Sequence, residues 1–84
     1  MREETVHEKL PRVVVRYEGG RIEPVEFRWG VREFRVRAVN ARWTDRATRP
    51  ARYFFSLTAE SGEVFVLSWR EGEPVWYVDS VIVT

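Results

Sequence analysis

The chain has 84 residues, of which 44% are hydrophobic, 14% aromatic and 32% charged, with a formal net charge of +1. That is one domain, with apolar material for a single core and too balanced a charge for a disordered chain. Cysteine is absent, which excludes disulfides, thiolate chemistry and cysteine-ligated metal.

Residues 1–11, "MREETVHEKLP", are polar, and Val6 and Leu10 are an apolar pair four residues apart. The expectation is an N-terminal tail, or a short helix that Pro11 ends. The segment lacks a signal-peptide core, and no run in the chain approaches the roughly 20 apolar residues of a membrane span. The expected setting is cytoplasmic, with no membrane partner.

From residue 12 to residue 84 the pattern is that of a β-domain. "RVVVRYE" alternates and reads as a strand. "GG" at 19–20 is a hairpin signal, because glycine reaches the positive φ of a tight primed turn. "PVEFRW" puts Val25, Phe27 and Trp29 on one face, and Gly30 marks the next turn. In "REFRVRAVNARWT" the apolar positions change phase, from Phe34 and Val36 to Val39, Ala41 and Trp43. A single β-bulge near Ala38–Val39 restores the phase and claims Phe27, Trp29, Phe34, Val36, Val39, Ala41 and Trp43 for the core. Arg35, Arg37, Asn40 and Arg42 then lie on the opposite face.

"TDRATRP" at 44–50 reads as a basic loop. "RYFFSLTAE" alternates again, whereas "EVFVLSW" and "PVWYVDSVIVT" are apolar on both faces and are joined by an "EG" turn at 71–72. Trp69 and Trp76 flank that turn and are expected to pair across it. About six strands joined by short turns predict an all-β, single antiparallel meander, strongly curved or barrel-like. Two-faced strands at 64–69 and 75–83 imply either closure or cover by a second chain.

Chemistry is sparse. His7, the one histidine, lies in the N-terminal segment with no oriented partner expected, and so reads as a bystander to catalysis or metal binding. Ser56, Ser61 and Ser68 have no histidine in the β-domain to activate them, and Asp79 has none to orient. Glu60, Glu63, Glu71 and Glu73 flank turns, where solvation explains them. The expectation is a protein that is not an enzyme and has no metal site and no cofactor.

Charge is unevenly spread. Residues 1–27 carry net −1, residues 28–52 net +6 and residues 53–84 net −4. Arg28, Arg35, Arg37, Arg42, Arg46 and Arg49 in the basic block are candidate nucleic-acid-binding residues, because guanidinium groups are always charged and bidentate toward phosphate. Against this, Glu26 and Glu33 are placed to pair with them across strands. Thirteen arginines against one lysine, one asparagine and no glutamine also fit the general composition of a GC-rich thermophile.

"PVEFRWGVREFRVRAVNARW" at 24–43 and "GEVFVLSWREGEPVWYVDSV" at 62–81 resemble a family of small, uncharacterised bacterial β-rich domains. Its members occur alone or beside proteins related to Y-family DNA polymerases in mutagenesis cassettes. The resemblance covers most of 12–83 and implies a small β-domain with a link to DNA transactions, and no catalytic residues. The basic 44–50 loop departs from that pattern.

The functional expectation is a small non-enzymatic interaction module. Its partner is a protein or a second copy, reached through the two-faced strands. The rival is nucleic-acid binding through the six arginines. A third reading is a small-molecule site inside an open barrel mouth.

Overall fold

A computed structural model describes residues 2–83. Seven strands follow one another: β1 (Arg2–Leu10), β2 (Arg12–Glu18), β3 (Arg21–Trp29), β4 (Arg32–Asp45), β5 (Arg52–Ala59), β6 (Val64–Arg70) and β7 (Trp76–Val83). They form one antiparallel sheet in the order β1-β7-β6-β5-β4-β3-β2. From β2 to β7 it is a meander. The strands β1 and β2 are separated only by Pro11, yet stand at opposite ends of this order. The sheet must therefore bend until β1 lies against β3, where Trp29 Nε1 donates to Glu8 Oε1 at 3.0 Å. No ladder joins β1 to β2, so the sheet is not closed into a barrel.

The N-terminal segment is thus neither tail nor helix, and the strand count is seven. Leu10 is buried in the core and Val6 packs against it. A bulge between Thr5 and Glu8 breaks the alternation that would mark the segment as a strand. Its charges are those of an edge strand, where they discourage further pairing.

At 19–20 both glycines have positive φ, 59° and 78°, as the two-residue turn requires. The long β4 carries two bulges rather than one: its register with β5 shifts between Val36 and Ala38, and again between Val39 and Ala41. The first keeps Val39 inward. The second turns Ala41 and Trp43 out and brings Arg42 opposite Phe55, the reverse of the expected faces. Trp43 is 45% exposed and lies flat against Phe54, with ring centres 5.3 Å apart.

β4 also divides its neighbours. It pairs with β3 over Arg32–Arg35 and with β5 over Val36–Asp45, so the sheet splits there into two layers. Phe27 and Phe34 from one layer meet Phe65 from the other, with ring centres 5.0 and 4.8 Å away. Leu57, Leu67 and Val78 complete the buried interior. Edge-to-face aromatic packing of this kind adds about 0.5–1.5 kcal/mol per pair beyond the area buried.

Candidate functional site

Because the layers part at Arg35, the six candidate arginines do not share one face. Arg28 and Arg35 stand opposite Glu33 and Glu26 on the β3–β4 ladder, and Arg28 Nη2 is 3.8 Å from Glu33 Oε1. Arg42 reaches across the gap between β4 and β3, donating to Glu23 Oε2 at 2.6 Å and to the Ile22 carbonyl at 3.2 Å. Arg16 donates to the other Glu23 oxygen at 2.9 Å. The hydrogen bond from Arg42, with further help from Arg16, outweighs partial burial and holds the Glu23 carboxyl below the usual glutamate range. Arg37 occupies a bulge, while Arg46 and Arg49 lie in the loop after β4. Arg35, Arg37, Arg46 and Arg49 form no ion pair among the described residues. Two of the six candidates are thus tied internally and four are free.

A cleft of about 420 Å³ opens where the layers separate. The β2–β3 turn, with Arg21 and Ile22, forms one side, and Arg42, Thr44, Tyr53 and Trp69 form much of the other. Tyr53 and Trp69 stack at 5.5 Å, and Trp69 stacks on Trp76 at 6.1 Å, in the cross-strand pair expected for that hairpin. This space is open to solvent between the layers. The interior itself is filled by the aromatic core, which removes the reading of a small molecule held inside a barrel.

The outer side of β5–β7 is composed differently. Register places Phe54, Ser68 and Tyr77 in one row, Ser56, Val66 and Ser80 in the next, and Thr58, Val64 and Ile82 in a third. β4 extends these rows with Trp43, Ala41 and Ala38. None of the twelve positions is charged, and Val64, Val66 and Ile82 are half-buried. Charged groups meet this side at its Tyr77 end: the Arg52 guanidinium lies 5.4 Å from the centre of the Tyr77 ring and donates to Ser68, and His7 stacks on Tyr77 beside Asp79. Lys9 stands opposite Tyr77, and Glu3 opposite Ile82. Antiparallel sheets with one solvated face ordinarily alternate apolar-in with polar-out, and these strands do not.

One pair was missed from the sequence. His7 does have an oriented partner: its Nδ1 donates to Asp79 Oδ1 at 2.7 Å. The two residues occupy facing irregularities of β1 and β7. His7 has φ of 53°, a left-handed conformation uncommon for a non-glycine residue. Its ring lies parallel to Tyr77, 4.8 Å away. Asp79 Oδ2 is buried without a hydrogen-bond partner. The signal lay in two bulges, which no spacing rule reveals. Ser68 is fully buried, and its Oγ accepts from Arg52 Nη1 at 3.0 Å, which leaves it unconnected to the His7–Asp79 pair. Among the described residues there is no group of three or more metal-ligating side chains.

No family model, no curated protein and no solved structure matches the chain.

Proposed function

We propose that the protein is a small, non-enzymatic interaction module that associates with a second copy of itself through the outer side of β5–β7. The observation that carries this reading is that the register positions on that side hold no charged residue, with the half-buried Val64, Val66 and Ile82 forming its apolar end away from Arg52 and the His7–Asp79 pair. Small residues among them, such as Ala38, Ala41 and Ser56, allow a second sheet to approach to the roughly 10 Å of face-to-face packing. The rim selects the orientation. Arg52 lies over Tyr77 and Lys9 stands beside it at the aromatic row, and Glu3 lies in the row farthest from it. A two-fold partner lying antiparallel brings the basic end of one copy to the acidic end of the other. The sheet is barrel-like in this reading, with its concave side filled and its convex side left for the partner.

Three rows across four strands span roughly 20 by 20 Å, from ordinary strand spacing. That places the association in the weak class, which buries less than about 1,200 Å² in total. Sedimentation velocity across a concentration series tests it. A monomer–dimer equilibrium is expected, and Val66→Arg, which puts two like charges at the centre of the contact, should leave monomer only. A wild-type chain that stays monomeric at millimolar concentration defeats the reading.

A second reading has its own support. Trp43, exposed and stacked on Phe54, is followed in the next loop by Arg46 and Arg49, which are unpaired among the described residues, and aromatic platforms with cationic flanks stack the bases of single strands. The family resemblance, with its link to DNA transactions, points the same way. Binding of a single-stranded oligonucleotide that falls steeply with salt and is lost in Trp43→Ala would support it. No binding at low salt would remove it.

A further inference from the structure

β4 is the longest strand, and its two neighbours divide it. Beyond Arg35 it has left β3, so Val36–Asp45 has a ladder on one side only among the described residues. A free strand edge is a template for another strand unless bulges, charge or cover disable it. Bulges at Arg37 and Asn40 disable the first half of this edge. The second half, Ala41–Asp45, pairs with β5 without a register shift, and every residue from Asn40 to Pro50 is exposed. That half carries no bulge and borders the aromatic cleft, which Trp43 and Thr44 help to line; only the Arg42 side chain crosses from it to β3, at Ile22 and Glu23.

Charge selects what the edge takes. Residues 40–52 carry four arginines and one acid, Asp45, and Asp45 Oδ1 is already engaged by the Ala47 N–H at 2.9 Å. Arg46 and Arg49 share a hollow with Glu71 but pair with neither it nor any other acid among the described residues. Arg21, on the far side of the cleft, is likewise unpaired among them.

We propose that the free edge Ala41–Asp45, with the cleft beside it, captures an extended acidic peptide in which apolar side chains alternate with carboxylates. The peptide adds as a strand, so the backbone ladder supplies affinity and alternate side chains supply selectivity. One apolar side chain of the peptide enters the cleft against Tyr53 and Trp69. Its carboxylates face Arg21, Arg46 and Arg49. This surface is an edge and an inner cleft that shares Ala41, Trp43 and Phe54 with the margin of the outer face assigned to self-association, but its argument does not rest on the dimer.

The test uses the full chain and a labelled, end-capped peptide of about six residues, the length that spans Ala41–Asp45. It alternates Glu with Val and carries one Phe at its centre. Fluorescence anisotropy should show saturable binding. N-methylation of alternate peptide nitrogens removes ladder donors without touching the protein and should weaken binding about tenfold or more, as should Lys in place of Glu. The exposed double variant Arg46→Glu/Arg49→Glu should weaken it by a similar factor while its urea midpoint stays at the wild-type value. Three results overturn the proposal: no saturation up to millimolar peptide, equal binding of the N-methylated peptide, or binding of a single-stranded DNA oligonucleotide with none of the acidic peptide.

Discussion

Arg42 and His7 are the residues whose surroundings depart furthest from what their types suggest. Arg42 sits on the core side of β4 because of the second bulge, and it joins two strands that share no ladder at that point. Its bond lowers the Glu23 pKa, which fixes the sign of a pH effect. A group whose folded pKa is depressed stabilises the fold above its unfolded value, about 4.3 for glutamate, and loses that contribution as pH falls through the lowered folded value. Glu23→Gln should therefore lower the urea midpoint at neutral pH. The gap from wild type should narrow as pH drops below about 4.3, read by chemical denaturation at a series of pH values. A gap that is unchanged at low pH contradicts the assignment. His7 is held in a left-handed conformation beside Asp79. Asparagine tolerates that conformation and alanine does not. Stability should fall from wild type to His7→Asn to His7→Ala, with a total loss of about 1–3 kcal/mol, because the alanine leaves a carboxylate already short of one partner without the other. Equal midpoints for the three chains would show that the pair holds nothing.

Strand β5 could be read from the chain because its side chains alternate without interruption where they line the core: Phe55, Leu57 and Ala59 are all buried. On β3 a bulge at Val25 puts Pro24 inside in its place, the reverse of the expected face for Val25, while Phe27 and Trp29 keep theirs. β4 could be read as a strand but not as two half-strands. Its apolar pattern demanded one bulge, and nothing in the letters distinguishes one bulge from two. Each bulge reverses the facing of all that follows, so the error fell on Ala41, Arg42 and Trp43 together and dissolved the single arginine face with it. The free edge was also hidden, since alternation reports which face a side chain takes and says nothing of which backbone edge is paired. The correction has a measurable form. Phe34→Ala should cost about 3–5 kcal/mol, as expected of a buried aromatic. Trp43→Ala should cost about 1 kcal/mol or less, since it loses only an exposed stack on Phe54. Comparable losses in the two variants, measured by urea unfolding, would return Trp43 to the core.

At the scale of the whole molecule, the strand that the sequence hid is the one that completes the sheet. β1 has one deeply buried residue, Leu10, and its remaining positions are largely polar and exposed, so hydrophobic periodicity is silent about it. Its contribution is positional. It covers the free edge of β7, whose Val78 and Val81 belong to the core, and Pro11 then carries the chain straight to the opposite end of the strand order. The basic block was legible from the letters alone, but the contact of β1 with β3, where Trp29 donates to Glu8, was not, because it depends on which ends of the sheet the bend brings together. Removing residues 1–9 would strip β7 of its partner and expose a long edge that includes Trp76, Tyr77 and Val78. An uncovered apolar edge recruits other chains. The truncated protein should therefore unfold at a lower urea concentration and form concentration-dependent aggregates. Leu10→Ala in the full chain should lose about 2–5 kcal/mol from the cavity it leaves, with the edge still covered and the chain not aggregating. If the truncated chain matches wild type in both midpoint and sedimentation, β1 is an ornament of the sheet and not its closing strand.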